Sequence, residues 1–389
     1  MPSVNTLEKG YRDLPICDSH VHITYPMPLD RTAAMLRGYM DYFGLTRIAL
    51  LGLPHSVRAS MTDPSNNLKC LYLKSLLNTD RGERRVHAFG GLYHFFDGRD
   101  TAQGFLRQAK DLHAMGFDGV KILLGKPELR RRLGVPLDDA LFDPFYSFCE
   151  AARFPVTMHL GDPEAFWLPG DDGHEPYYDR SFPTLSALRR ETEGILEKHP
   201  ALDLVLCHFY FIADDCEAAE RFLTAHPTVS FDLTPGSEMY AGFTKHPDEW
   251  RDFFRRHRRR ILFGTDTDNW AAPDTDEGYA HNFSYPFNLV RNALESPVPF
   301  RFEDADCGLL APLHADDETL SSIYSENFIR RMGEPRPIDD SLASLAASAL
   351  LTLREHDVLF TGDRERRETD LENLRVIAEH FRVRTNRTI

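Results

Sequence analysis

Eight short β-type runs, each followed by a longer segment with helical spacing, restrict the folds open to this 389-residue chain. The runs are "LPICDSHVHI" (14 to 23), "TRIALLGLP" (46 to 54), "RVHAFGGLYH" (85 to 94) and "FDGVKILLG" (117 to 125), then "FPVTMHLG" (154 to 161), "LDLVLCHFY" (202 to 210), "TVSFDL" (228 to 233) and "RILFGTD" (260 to 266). Between them, segments such as "GFLRQAKDLHAMG" and "LSALRRETEGILEKHP" mix apolar residues at helical spacing with charge, and several close on Gly or Pro. Strands joined through helices pair in parallel, and parallel strands are covered on both faces, which explains their near-continuous apolar character. Eight such units predict an α/β fold, a closed (β/α)8 barrel. A doubly wound open sheet is the alternative. It calls for a glycine-rich phosphate loop after the first strand, where "HVHITYP" stands instead.

Two regions fall outside the repeat. Residues 161 to 183, "GDPEAFWLPGDDGHEPYYDRSFP", are long, aromatic and rich in turn formers, as a loop over a barrel mouth would be. Beyond the barrel domain, residues 1–335, "EPRPIDD" reads as a linker into a C-terminal helical extension, residues 336–389. Its two amphipathic segments are expected to pack on the outside or against a partner chain, and could support a homodimer.

A net charge of -15 argues against a broad affinity for nucleic acid or anionic membrane, since both demand a basic face. No apolar run reaches membrane-spanning length, and "MPSVNTLEKGYRD" lacks the pattern of a signal peptide, so a cytoplasmic location is expected. The six cysteines (Cys17, Cys70, Cys149, Cys207, Cys216, Cys307) show no CxxC pair and are expected to be reduced and structural.

The C-terminal ends of barrel strands carry the active site. Read in order, those ends supply Asp18, His20 and His22 on the first strand, Lys121 within the fourth, His159 on the fifth, His208 on the sixth and Asp266 on the eighth. The alternation of a strand puts Asp18, His20 and His22 on one face, and two imidazoles above an acid are hard to satisfy without a cation. Taken singly, His159 or His208 reads as a core histidine, Asp266 as a helix N-cap and Lys121 as a lysine paired to a carboxylate. Their recurrence at strand ends is what those readings leave unexplained.

As a set, "DSHVH", "HLGDP", "LCHFY" and "ILFGTD" resemble the amidohydrolase superfamily, within it the amidohydrolase-related branch of metal-dependent TIM-barrel hydrolases and decarboxylases. The stretch before His208 and "YSENFIRRMG" (324 to 333) are similar to that branch too, and the resemblance covers roughly residues 14 to 335. It implies that His20, His22, His159 and Asp266 hold one divalent metal, that His208 polarises or deprotonates a water, and that Asp266 is also the general base. That donor set suits zinc best, with manganese, iron or nickel accommodated. Lys121 stands where two-metal members carry a carboxylated lysine, which keeps a second ion on Lys121 and His208 open. The aromatic "HFYF" departs from the small residues common after this histidine.

Near the mouth, Tyr25, Lys121, Trp167, Arg180 and Trp270 are candidate contacts for a small-molecule substrate, with Asn269 beside them; aromatic walls with sparse cations suit a small organic acid, and Trp167 and Trp270 read equally well as loop packing. The expected function is metal-dependent hydrolysis of an amide, ester or lactone. The alternative is non-oxidative decarboxylation of an aromatic or unsaturated acid, for which Arg180 would hold the carboxylate. A non-catalytic binding barrel is the minor alternative, predicting a broken ligand set.

Overall fold

The computed structural model describes residues 10–55, 63–79, 85–95, 100–170, 175–301, 308–356 and 364–388. Eight parallel strands follow one another in chain order around a single sheet. They are β1 Ile16–Val21, β2 Leu45–Leu51, β3 Val86–Gly91, β4 Gly119–Gly125, β5 Val156–Leu160, β6 Leu204–Leu206, β7 Val229–Asp232 and β8 Ile261–Leu262. Each lies inside the run that predicted it, except that β2 begins one residue earlier, at Leu45. The last strand meets the first through Ser19 N–H to Phe263 O, Asp266 N–H to His20 O and His22 N–H to Thr267 O, which closes the barrel.

The covering helices form because their apolar positions recur on one face and their ends are capped. Helix α1, Leu29–Phe43, buries Leu29, Ala33, Leu36, Tyr39, Met40 and Phe43, and α2 is Asn66–Thr79. In α3, Ala102–Met115, the Thr101 hydroxyl accepts the N–H of Gly104, and Gly116 ends the helix at φ 95°, a conformation glycine enters without steric cost. Gly125 meets a different demand. A Cβ there would run into the His159 carbonyl oxygen, so only glycine lets β4 and β5 approach where His159 is positioned.

At the opposite end of the barrel, α4 (Asn327–Met332) runs beneath the strands and inserts Phe328 into an inner cluster with Cys17, Ala49, Leu51, Phe89, Val205 and Leu262. The extension forms two helices, α5 Asp340–Glu355 and α6 Arg364–Thr388, packed on each other. Leu374, Ile377 and Phe381 of α6 join the main core, and α6 rests on α2. A buried ionic network pins it there: Lys69 Nζ donates to Asp63 at 2.6 Å and to Asp370 at 2.5 Å, and Arg354 donates to Asp370 at 3.0 Å. Asn373 takes the N–H of Leu29 and donates to Met27 O, while Arg366 donates to Thr24 O. The extension therefore holds the loop that follows the histidine motif.

Cys17, Cys70, Cys149 and Cys207 are buried free thiols and Cys216 is half-buried; Cys307 lies outside the described residues. Among the described residues no helix is long and apolar enough to cross a membrane.

Candidate active site

A cavity of about 490 Å³ opens over the C-terminal ends of the strands. His20, His22, Lys121, His159, His208 and Asp266 all line it, although they come from β1, β4, β5 and the segments just after β1, β6 and β8.

The histidine hydrogen bonds decide what the centre of this cavity can hold. His22 Nδ1 lies 2.8 Å from Leu51 O, which can only accept, so that nitrogen carries the proton and the Nε2 lone pair points inward. His20 Nδ1 lies 2.8 Å from the Asp232 carboxylate, which fixes the same tautomer. The two Nε2 atoms then face each other at 3.1 Å, with Asp266 Oδ1 at 3.4 Å from His20 and 3.2 Å from His22. A second pair repeats the pattern. His159 Nε2 donates to Gly161 O at 3.0 Å and His208 Nδ1 to Thr234 O at 3.3 Å, so His159 Nδ1 and His208 Nε2 meet lone pair to lone pair at 3.1 Å.

Acceptors facing acceptors at such distances repel unless a cation lies among them. Protonation would also separate the lone pairs, but burial opposes it. Burial, reinforced by Lys121, pushes His20 down to about 4; burial and Lys126 do the same for His159, and burial and His159 for His208, each to about 4. Burial thus keeps the rings of His20, His159 and His208 neutral at physiological pH and ready to ligate. His20, His22 and Asp266 form a tight group able to hold a metal ion. His159 stands with His208 beside that trio rather than inside it.

Asp18 does not join the imidazoles. The pairing of β1 with β2 is irregular between Asp18 and Val21, which breaks the strict alternation. The Asp18 carboxylate accepts from Tyr39 of α1 at 2.8 Å and from the Thr265 hydroxyl at 2.7 Å, and so ties β1 to the turn that presents Asp266. Lys121 Nζ sits 3.3 Å from His20 Nε2 and 3.0 Å from Cys207 Sγ.

Backbone strain is concentrated here. His208, Phe209, Tyr210 and Phe211 occupy the left-handed region in succession, with φ of 53°, 50°, 58° and 48°, and Asp266 does so at 59°. Each such non-glycine residue costs on the order of 1 kcal/mol, and persists where surroundings over-determine it. Phe209 is clamped among Phe231, Phe243, Trp250 and Phe254, Tyr210 stacks on Phe222, and the His208 N–H is held by Asp232 at 2.8 Å. Of the three aromatics, Phe211 alone lines the cavity, stacked on His208.

The amidohydrolase family model matches residues 17–330. The chain belongs to the amidohydrolase family. No curated protein matches it. Among solved structures, a 2,6-dihydroxybenzoate decarboxylase bound to 2,6-dihydroxybenzoate is 14% identical, with 82% of this chain and 99% of that chain covered and a TM-score of 0.50. An uncharacterized TIM-barrel protein from Bordetella bronchiseptica is 13% identical over 85% and 99% of the two chains at a TM-score of 0.49. A 4-oxalomesaconate hydratase from Rhodopseudomonas palustris is 14% identical over 87% and 99% at 0.47. These likenesses are of fold.

This amidohydrolase departs from the sequence reading mainly at the mouth. Tyr25, Trp167, Arg180 and Trp270 do not line the cavity. Tyr25 and Trp270 are largely exposed, and Trp270 leans on Phe283. The indole of Trp167 donates to Pro183 O and packs on Tyr178, while Arg180 is exposed. Of the 161 to 183 loop, Gly161 is buried beside His159 and Asp162, Pro163 and Phe166 reach the cavity; residues 171–174 lie outside the described residues. Asp162 takes Lys126 at 2.6 Å and the Tyr178 hydroxyl at 2.5 Å.

Sequence reasoning missed Asp232, His55, Lys126, Glu238 and Asp268. Asp232 and Asp268 carried a usable signal, an acid at or just after a strand end as in "SFD" and "TDTD".

Proposed function

We propose that this chain is a metal-dependent hydrolase acting on an amide, ester or lactone bond of a small, uncharged molecule. The observation that carries the reading is the convergence of four inward-facing imidazole lone pairs and the Asp266 carboxylate beneath an open cavity. Zinc suits donors of this kind best. When bound, a divalent ion supplies a Lewis acid and lowers the pKa of water towards neutrality.

The chain's own groups supply the proton handling. The Asp266 carboxylate, part-open to the cavity at 39% side-chain exposure, accepts a proton from the attacking water and returns it to the leaving group. His208, its Nε2 unprotonated, orients the polarised carbonyl or takes a proton from the water. Phe166 and Phe211 give an apolar wall.

Hydrolysis is favoured over decarboxylation by the charge of the lining. Among the described residues no arginine lines the cavity, and Lys126 is already paired with Asp162. Asp162, Glu238 and Asp268 instead bring carboxylates to the wall. A substrate carboxylate would find Lys121 as its remaining side-chain cation there.

The test is elemental analysis of purified protein followed by assay on neutral lactones, esters and amides beside aromatic acids. The expected result is one divalent ion per chain and turnover of a neutral carbonyl substrate that Asp266→Asn abolishes. Release of carbon dioxide from aromatic acids, with no hydrolysis, would replace this reading with the lyase.

A further inference from the structure

A second cavity, of about 220 Å³, lies at the other end of the barrel, under the N-terminal ends of β6, β7 and β8 and against α4. Its charged lining is unusual for a chain of net charge -15: Arg259, Arg260, Arg330 and Arg331 face it, with Asp203 as the one carboxylate among its lining residues.

The internal bonds of these arginines account for only part of their donors. Arg260 is spent on the backbone, giving protons to Val229 O and His226 O, so it is a fixed wall. Arg331 donates to the Ser230 hydroxyl at 2.7 Å and faces Asp203, yet its buried Nε has no hydrogen-bond partner. Arg330 donates to Arg259 O and Asn327, both through one nitrogen. The Arg259 side chain is exposed at the rim.

Four guanidiniums line the cavity against the single carboxylate of Asp203, with Glu326 also acting on Arg330, and like charges held together cost energy unless an anion joins them. Burial alone drags Arg331 down to about 9, while burial and then the neighbouring Arg259 lower Arg330 against the pull of Glu326. Guanidinium forks match tetrahedral oxyanions, presenting paired N–H groups to two oxygens at once.

We propose that this cavity binds a phosphate-type oxyanion, free or as the phosphoryl end of a small molecule, seated between the rim guanidiniums of Arg259 and Arg330 over the Arg331 side chain. The site stands apart from the catalytic mouth and shares no residue with it. It also does not depend on the reaction proposed above.

Calorimetric titration of the full-length, metal-loaded protein with inorganic phosphate, at 150 mM chloride so that diffuse screening is held constant, tests it. One phosphate per chain is expected, weakened about tenfold or more in Arg259→Ser/Arg330→Ser, since each lost charged hydrogen bond is worth about a decade. Arg330→Ser also removes the bonds to Arg259 O and Asn327, so Arg259→Ser alone, at an exposed side chain whose loss should leave the melting temperature without phosphate unchanged, makes the comparison if the double variant melts lower. Titration with a phosphate monoester separates the two sources of the ligand by which binds more tightly. Equal phosphate affinity in wild type and variant would place the anion elsewhere, such as at the catalytic metal, and overturn the assignment, as would no binding in wild type.

Discussion

Asp232 and His20 are joined by a 2.8 Å bond that determines which nitrogen of His20 is left to bind a cation. The same carboxylate accepts the backbone N–H of His208 at 2.8 Å, so one acid on β7 sets both a ring tautomer and the start of the left-handed turn. In Asp232→Asn the amide can donate to Nδ1 and turn the His20 lone pair away from the centre. Metal affinity is expected to fall about 10- to 100-fold, read by competition with a chromophoric chelator. Unchanged affinity would show that the His20 tautomer is set elsewhere.

His208→Asn should separate chemistry from metal retention. The trio of His20, His22 and Asp266 remains, so metal content should stay near that of wild type while kcat falls about 10²- to 10⁴-fold, the usual worth of a positioned proton-transfer group. Loss of the metal together with activity would instead make His208 a ligand.

Acid should destabilise the fold well above the carboxylate range. Burial is the main cause holding His55 and His87 down to about 4 and His94 to about 3. Below about 6.5, the ordinary histidine value, the unfolded chain takes up protons on these rings that the folded chain refuses, so stability rises with pH there and is lost as pH falls. Asp18, raised to about 6 chiefly by burial, works in the opposite direction between about 3.9 and 6. Three rings outweigh one carboxyl. Denaturant midpoints of the metal-free protein should therefore drop from pH 7 to pH 5, and His87→Gln should flatten that slope; a midpoint independent of pH would rule out this linkage.

Asp370→Ala would take from Arg354 and Lys69 the carboxylate they share inside the contact between the extension and the barrel, leaving Asp63 as the acid on Lys69. Removing one member of a buried ionic network costs about 3–5 kcal/mol, because the partners stay desolvated. Urea unfolding should show a loss of that size, and a loss below about 1 kcal/mol, the range of exposed pairs, would mean that water reaches the network.

Most of the frame was legible in the sequence because a parallel strand writes itself as an apolar run, and all eight runs became strands. The chemistry at strand ends was legible for the same reason: histidines in "DSHVH", "TMHLG" and "LCHFY" interrupt such runs where solvent-facing loops begin. Asp18 fixes the strand end as its position beside the histidines suggested, but its departure from their face escaped the reading, since a register irregularity in β1 is a pairing property with no local signature. The turn at 208 to 211 escaped it because left-handed backbone is announced by glycine, and "HFYF" holds the conformation through long-range aromatic packing instead. Trp167 and Trp270 were open to two readings, substrate contact or loop packing, for a related reason. An aromatic in a loop is equally at home in a cavity wall or against a neighbouring helix, and only the path of the loop decides.

The grip of α6 on the mouth has a consequence for the order of events in folding. Arg366 and Asn373 reach Thr24, Met27 and Leu29 across sequence separations of 342 to 346 residues, and β1 meets the Thr265 turn across 247. During synthesis the loop behind the histidine motif gains its anchors in stages: Asn66 reaches Ile23 O, Asp268 and Asn269 then hold Thr24 and Tyr25, and Arg366 and Asn373 arrive last, some three hundred and forty residues later. Contacts of such span are slow to form, so the mouth is among the last parts of the molecule to be completed. The same wiring runs in reverse in the native protein. Local opening of the two-helix extension would slacken the entrance while every metal donor stayed in place, making access to the cavity a thermal property of helices that touch none of its chemistry.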